Sequence, residues 1–412
     1  MDRQGAGVAR AHGSALKTVE AVWRMESARI VGALARYTRD FPLAEDVAQE
    51  ALAEALVSWE RDGEPADPVG WLLSTARRRA IDAFRRRSAL DQRYQEIAIN
   101  AEMSVETPWD PDRIDDDILA LIFIACHPVL AAEARVALTL RTVGGLSSEE
   151  IARAFLVPIP TIQARITRAK KTIAAAKVPF ELPPAEERRQ RLGGVLSVLY
   201  VIFTGGSQLQ KPELAYESIR LARMLAALLP DEPEAHSLVA LFELTAARFP
   251  ARTGPDGEPI LLADQDRRRW DFSAIRRGLA ALGHAAAKGR GLGPYGLQAA
   301  IAACHASAAS VDKTDWDRIV LLYEALGRVA PSPVVELNRA VAVAMATGPA
   351  EALAIVDKLD IPGSHLVPTV RGELLSRLGR NDEARAELEI AARLCPNVRE
   401  RSVLLGKARR LG

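Results

Sequence analysis

Six polar or basic residues lie close together in one short segment: Thr161, Gln163, Arg165, Arg168, Lys170 and Lys171. Short polar side chains near the start of a helix suit hydrogen bonds to base edges, and longer cations suit phosphates. From Ala152 to Lys177 the chain carries six basic residues and no acid. The segment is therefore a candidate nucleic-acid interface, with a solvated cationic helix face as the alternative.

A second basic cluster lies between Trp71 and Arg93, where seven arginines outnumber two aspartates. Its candidate phosphate-binding residues are Arg77, Arg78, Arg79, Arg85 and Arg86. Trp71 at the start of this cluster offers a surface on which an unpaired base could stack. Packing into a protein core is the alternative role for this tryptophan.

Other kinds of chemistry find little support in the sequence. Cys126, Cys304 and Cys395 have no paired spacing, so neither a disulfide framework nor a metal site is predicted. The segment GRGLG at 289–293 lacks the Lys-Ser/Thr of a phosphate loop, and Gly293-Pro294 is expected to start a helix instead. Six scattered histidines give no catalytic spacing, so no enzymatic activity and no cofactor are expected.

The segment LSSEEIARAFLVPIPTIQARITRAKKTI at 146–173 predicts two helices joined by a turn. Ser147 and Ser148 suit the first helix start, and Pro158 and Pro160 suit the turn and the start of the second helix. Spacings of 4, 3 and 4 place one apolar set on a single buried face of the second helix: Ile162, Ile166, Ala169 and Ile173. Leu156 stands at the turn, where a backbone with positive φ would favour glycine. A leucine there either costs about 1 kcal/mol or indicates a different turn.

Composition favours an all-α protein, because Ala and Leu dominate and alternating β-branched runs are almost absent. The net charge of +1 conceals strong segregation: seven acids and one Arg lie between Ala101 and Asp117. We predict a helical domain at 14–93, an extended acidic linker at 94–117, a helix-turn-helix at 118–178 and a helical array at 190–412. The apolar segments are too short to span a bilayer and no signal peptide is evident, so a cytoplasmic protein without a membrane partner is expected.

The C-terminal half contains a degenerate repeat. Similar segments surround Pro230, Pro331 and Pro396, which are 101 and 65 residues apart, near three and two units of about 34 residues. The segment at 378–397 resembles the second helix of a tetratricopeptide repeat, with small Ala384 and Ala391 where helices approach closely. An irregular helical domain with proline-terminated helices is the alternative.

The motifs AEDVAQEALAEAL and GWLLSTARRRAIDAFRRR resemble region 2 of bacterial sigma factors of the extracytoplasmic-function (ECF) class, in the sigma-70 family. The 146–173 segment occupies the position of region 4, so the resemblance covers about residues 14–178. Arg78 replaces the asparagine that is usual in region 2. The C-terminal half resembles a subgroup that carries a fused tetratricopeptide-like domain.

This resemblance implies the roles of the candidate residues. Asp46, Gln49 and Glu50 would bind the β′ clamp of core RNA polymerase, and region 4 would contact the β flap. The arginine-rich helix and Trp71 would bind the promoter −10 element, and the 161–171 set would bind the −35 element. The linker would cross the polymerase between these two modules.

The implied function is an alternative sigma factor for promoter-specific initiation, regulated through its C-terminal array. That array is expected to contact its own N-terminal domains or to bind a protein or peptide. The run DQDRRRW at 264–270 is either a solvated helix start or a docking patch. A one-component DNA-binding regulator with a helical sensor domain is the alternative function, although it leaves the acidic helix unexplained.

Overall fold

The computed structural model of the chain describes residues 4–88, 114–208, 211–254, 260 and 262–411. Within these ranges the regular secondary structure is helical and contains no β-strand, which confirms the expected all-α class. None of the described helices combines the length and the apolar character that crossing a membrane would require. The chain forms two compact units, Met1–Leu228 and Leu229–Gly412.

The first unit contains the candidate nucleic-acid interface. Its helices are α1 (Gln4–Thr38), α2 (Phe41–Asp62), α3 (Pro68–Ser88), α4 (Ile114–Ala125), α5 (Ala132–Thr142), α6 (Ser148–Phe155), α7 (Ile159–Ala175), α8 (Ala185–Gln208) and α9 (Pro212–Leu228).

Helices α1–α3 form a bundle, and aspartate caps fix the starts of α2 and α3. Asp40 accepts a hydrogen bond from the Leu43 amide (3.0 Å), and Asp67 accepts one from the Gly70 amide (2.9 Å). Apolar side chains fill the space between the helices, including the fully buried Phe84. These caps and this core determine which faces of α2 and α3 remain exposed.

The acidic segment departs from the predicted extended linker at its C-terminal end. Residues 114–117 form the first turn of α4, where Asp115, Asp116 and Asp117 favour the positive end of the helix dipole. Asp117 is buried and pairs with Arg36 of α1 (3.4 Å). The extended-linker prediction is therefore wrong for these residues, and its remainder at 94–113 lies outside the described part.

Helices α8 and α9 belong to the first unit, although we predicted a C-terminal array that begins at residue 190. Arg191 of α8 donates a hydrogen bond to the Phe123 carbonyl of α4 (2.7 Å). Arg220 of α9 donates to the Val143 carbonyl after α5 (3.4 Å). The first two helices of the C-terminal half thus share a fold with the helix-turn-helix.

The second unit is built from short helices, each of which packs against the next along the chain. They are α10 (Pro233–Ala246), α11 (Phe272–Ala287), α12 (Pro294–Ser307), α13 (Trp316–Val329), α14 (Pro333–Ala346), α15 (Pro349–Val356), α16 (Leu366–Arg377), α17 (Asn381–Leu394) and α18 (Val398–Arg409).

The predicted proline turns and close helix approaches are confirmed in this array. Pro230, Pro331 and Pro396 each lie in the short connection between two helices. Ala384 is fully buried, and a Cβ added to Gly372 would lie 2.9 Å from Leu388 Cγ. Helices α16 and α17 therefore approach closely, as tetratricopeptide-like pairs require.

The glycine-rich segment starts a helix, as predicted. Gly293 is the N-cap of α12, and Pro294 occupies its first turn. The Glu234 carboxylate accepts hydrogen bonds from the Tyr295 and Gly296 amides (3.0 and 3.2 Å). Because an internal carboxylate already occupies this helix N-terminus, the geometry does not favour a phosphate there.

The 264–270 run is partly buried and partly exposed to solvent. Trp270 is buried, and the Arg267 guanidinium lies 4.5 Å from its ring centroid. Arg267 also donates hydrogen bonds to the carbonyls of His305 (2.8 Å) and Ala308 (2.6 Å). Arg268 remains exposed and pairs with Asp266 (2.9 Å). Part of this run thus holds the C-terminal end of α12 in place.

Candidate nucleic-acid interface

The helix-turn-helix is set by local hydrogen bonds. The Ser147 hydroxyl accepts from the Glu150 amide (3.1 Å), and the Glu150 carboxylate accepts from the Ser147 amide (2.9 Å), which completes a capping box. Leu156 adopts left-handed geometry with φ 54° and ψ 40°, and Pro158 then precedes α7. This turn determines the angle at which α7 leaves α6.

The two faces of α7 follow the predicted pattern. Its buried residues are Ile162, Ile166, Ala169 and Ile173. Gln163, Arg168 and Lys171 are exposed, whereas Thr161 and Arg165 are half-buried. An outward face with a polar residue near its N-terminus and cations further along is suited to a DNA major groove.

Lys170 departs from the rest of the candidate set, because it points toward α2. Its ammonium donates to Glu45 (2.7 Å) and also to Asp46, and only 15% of its side chain is exposed. Burial alone would lower the pKa of Lys170, but the charge of Glu45 and the hydrogen bonds to both carboxylates outweigh it and raise the pKa. Lys170 therefore stays charged inside this contact.

Glu45 is the centre of the contact that α2 makes with α5 and α7, and we did not single it out from sequence. Its side chain is 3% exposed, and it pairs with Lys170 and with Arg141 of α5 (3.3 Å). Glu45 lies four residues after Phe41 and three before Ala48, both buried. The sequence did contain a signal for this residue. A charged side chain within an apolar helix face has to be buried with a partner of opposite charge.

The acidic candidates on α2 are engaged within the unit. Asp46 and Glu50 are exposed and Gln49 is half-buried. Glu50 pairs with Arg79 of α3 (3.1 Å), which also pairs with Glu54 (2.7 Å). In this conformation Asp46 and Arg79, taken from two different candidate sites, both have internal partners of opposite charge.

Two of the remaining arginines of α3 border an open groove of about 550 Å³. Arg77 and Arg78 line it together with Tyr37 and Ser74, and the Arg77 guanidinium lies 5.6 Å from the Tyr37 ring centroid. Arg85 and Arg86 are exposed further along the helix. Cations combined with an aromatic ring provide the elements that bind single-stranded nucleic acid.

Trp71 is half-buried at the start of α3. Its ring meets that of the buried Trp59 edge to face, with centroids 5.6 Å apart. The structure therefore gives Trp71 a packing role and leaves part of the side chain accessible.

Two further ion pairs connect the helix-turn-helix side of the unit to α1. Arg24 donates to Glu150, the residue that caps α6, and Arg36 pairs with Asp117. Together with the Glu45 contact, they join the first three helices to the later ones.

Comparison with protein families supports the same division. A sigma-70 region 2 model matches residues 23–90, and a sigma-70 region 4 model matches residues 120–173. A family of unknown function, DUF6596, matches residues 191–286.

Similar proteins match either most of this chain or only part of it. An uncharacterized protein of Rhizobium meliloti is 44% identical over 395 residues, which is 90% of each chain. The ECF RNA polymerase sigma-E factor of Haemophilus influenzae is 30% identical over 155 residues, covering 35% of this chain and 79% of that protein. A solved TPR protein of Thermus thermophilus aligns with a TM-score of 0.36 at 17% identity, covering 52% of this chain and 99% of that one.

Helix-turn-helix, arginine-rich helix and acidic helix occur together in sigma-70 regions 2 and 4, so they define the class of this protein as a sigma factor. The chain belongs to the ECF sigma factors, with a fused C-terminal helical domain.

We predict that Leu156→Gly stabilises the first unit by about 1 kcal/mol, because glycine adopts left-handed φ without the steric cost that leucine meets. Leu156 is 69% exposed, so little burial is lost. Urea denaturation would measure the change. Leu156→Ala is the control, since it removes the same side chain and keeps the strain. Equal stabilities of the Gly and Ala variants would contradict the prediction.

We predict that Glu45→Gln destabilises the first unit by about 2 kcal/mol, because it removes the buried charge that Arg141 and Lys170 share. The loss stays below that of a fully unpaired charge, since Lys170 keeps Asp46 and Arg141 keeps the Leu146 carbonyl (3.2 Å). Thermal or urea unfolding would test this. The exposed carboxylate Glu64 provides the control, with a change below about 0.5 kcal/mol for Glu64→Gln.

Proposed function

We propose that the protein is an alternative sigma factor that directs core RNA polymerase to promoters through α2, α3 and α7. The observation that carries this proposal is the joint presence of a region 2 match and a region 4 match in one chain. The proposed roles of individual residues come from their resemblance to the family's motifs, and the geometry described above supports them.

In this proposal α7 binds the −35 element as duplex DNA. Thr161, Gln163 and Arg165 would contact bases, because they lie in the first two turns of the helix. Arg168, Lys170 and Lys171 would contact phosphates, whose attraction decreases with salt. Lys170 has to leave Glu45 before it can do so.

The groove beside α3 would hold the −10 element as it unpairs. Arg77 and Arg78 line this groove, and Arg85 and Arg86 would add positive charge further along α3. The accessible part of Trp71, at the start of α3, would supply an aromatic surface. Arg79 would contribute a phosphate contact only after it releases Glu50 and Glu54.

Asp46, Gln49 and Glu50 would bind the β′ clamp of the polymerase, and region 4 would bind the β flap. A cationic clamp surface would compete with Lys170 for Asp46 and with Arg79 for Glu50. Polymerase binding would therefore remove one carboxylate partner from each of these two cations, while Lys170 keeps Glu45 and Arg79 keeps Glu54. We further propose that the C-terminal helices regulate this exchange of ion-pair partners. Helices α8 and α9 support this role, because they contact α4 and the end of α5.

A run-off transcription assay tests the proposal. Core RNA polymerase and a pool of genomic promoter fragments are combined with and without the full-length protein. We expect defined transcripts only when the protein is present, and more than about tenfold less product with an Asp46→Lys variant that reverses the charge of the polymerase contact. Lys313→Glu, an exposed charge reversal in the second unit, should leave the product unchanged.

The one-component regulator makes the opposite prediction in the same experiment. It would bind a specific duplex tightly without polymerase and would yield no transcript with it. That pair of results would overturn the proposed function.

We predict opposite effects of Lys170→Met on the two partners. Asp46 would be freed, so affinity for core polymerase rises by up to about fivefold, the limit set by a partly exposed ion pair. Affinity for −35 duplex falls, and the dependence of log K on log salt becomes shallower by about one unit. Fluorescence anisotropy with labelled protein and with labelled DNA would measure both. A fall in both affinities would contradict release of Asp46.

A further inference from the structure

Three side chains with metal-binding atoms meet near the end of the second unit. One nitrogen of His365, the sulfur of Cys395 and a carboxylate oxygen of Glu400 all lie within 4.8 Å of one another. His365 Nε2 and Glu400 Oε1 are 3.2 Å apart. No other group of three or more such residues is found in the part of the chain that the structure describes.

We propose that His365, Cys395 and Glu400 bind one zinc ion. Thiolate, imidazole and carboxylate are each ordinary zinc ligands, and a mixed set of sulfur, nitrogen and oxygen disfavours Mg²⁺ and Ca²⁺. Ligand atoms around a tetrahedral zinc lie about 3–4 Å apart, so small side-chain rotations would close the observed arrangement. Water would complete the coordination.

Each ligand comes from a different helix end. His365 directly precedes α16, Cys395 directly follows α17, and Glu400 lies in the first turn of α18. Cys395 is buried beside Leu388, Leu404 and Ala408. A zinc ion at this point would fasten the last helix of the array to the preceding pair, in addition to their apolar contact.

The three proposed ligands differ in their exposure to solvent, from the buried Cys395 to the partly exposed Glu400. Cys395 is 1% exposed, whereas the side chains of His365 and Glu400 are 18% and 47% exposed. A cation can thus reach the buried sulfur from the Glu400 side. Burial raises the pKa of the Cys395 thiol, so this thiol is a weak nucleophile in the absence of a cation.

A plain ion pair between His365 and Glu400 beside a buried cysteine is the competing explanation. In that case Cys395 only fills space, and its sulfur makes a weak contact with the Asn397 carbonyl (3.6 Å). The two explanations differ in whether the Cys395 sulfur binds a metal ion. The test therefore has to detect a bond between that sulfur and the metal.

The test uses the full-length protein, freed of metal with a chelator and then titrated with Zn²⁺ or Co²⁺. We expect one equivalent to bind, a thiolate-to-cobalt charge-transfer absorption, and a higher unfolding temperature with zinc. Cys395→Ser should abolish the absorption, while Cys126→Ser and Cys304→Ser should keep it. Glu400→Gln changes a partly exposed side chain and should fold normally. It should bind zinc more than about tenfold more weakly, since even outer-shell partners contribute 10–100-fold.

Two results would overturn the proposal. One is an absence of zinc-dependent stabilisation in the wild-type protein. The other is a cobalt absorption that persists in Cys395→Ser, which would place the metal on another cysteine. Neither result depends on transcription, so the zinc site and the proposed sigma function can fail separately.

Discussion

The buried carboxylate of Glu45 is the constraint on which the first unit depends. A charge with 3% of its side chain exposed requires partners, and the structure provides Arg141 and Lys170 from the helices that follow the acidic segment. This requirement joins α2 to α5 and α7 and thereby fixes how the two modules lie against each other. An apolar contact could hold them as firmly, since buried ion pairs often add little net stability. Ionic partners differ from apolar ones in that they can be exchanged for a charged surface on another molecule.

The same principle governs the charge balance of the unit. Arg79 is neutralised by Glu50 and Glu54, just as Lys170 is neutralised by Glu45 and Asp46. The chain as a whole has a net charge of only +1 although it carries two strongly basic helices, because 53 acidic residues balance 54 basic ones. A low net charge weakens non-specific attraction to nucleic acid. In this conformation, internal pairing of this kind leaves Lys170 and Arg79 less able to attract nucleic acid.

Local features of this fold could be predicted from the sequence, and long-range pairings could not. The buried stripe from Ile162 to Ile173 depends on spacing along one helix, and the Ser147 cap depends on three residues. Lys170 and Glu45, in contrast, are 125 residues apart, and periodicity contains no information about which acid a surface lysine meets. The extended-linker prediction was wrong at Ile114–Asp117 for a local reason. Three aspartates before an apolar run also suit a helix N-terminus. His365 and Cys395 lie 30 residues apart and match no ligand motif, so only the packing of three helix ends brings them together.

The C-terminal half is joined to the sigma regions by a shared core, and this determines how its role can be studied. Valine and leucine side chains of α8 are buried within the first unit, among them Val195 and Leu199. The DUF6596 match at 191–286 accordingly begins inside that unit and continues into the second. Truncation near Pro184 would remove α8 and α9 and expose the apolar surface that they cover, so loss of activity would report misfolding as readily as lost regulation. Truncation after Leu228 keeps the first unit whole. Only that boundary separates the regulatory question from the stability of region 4.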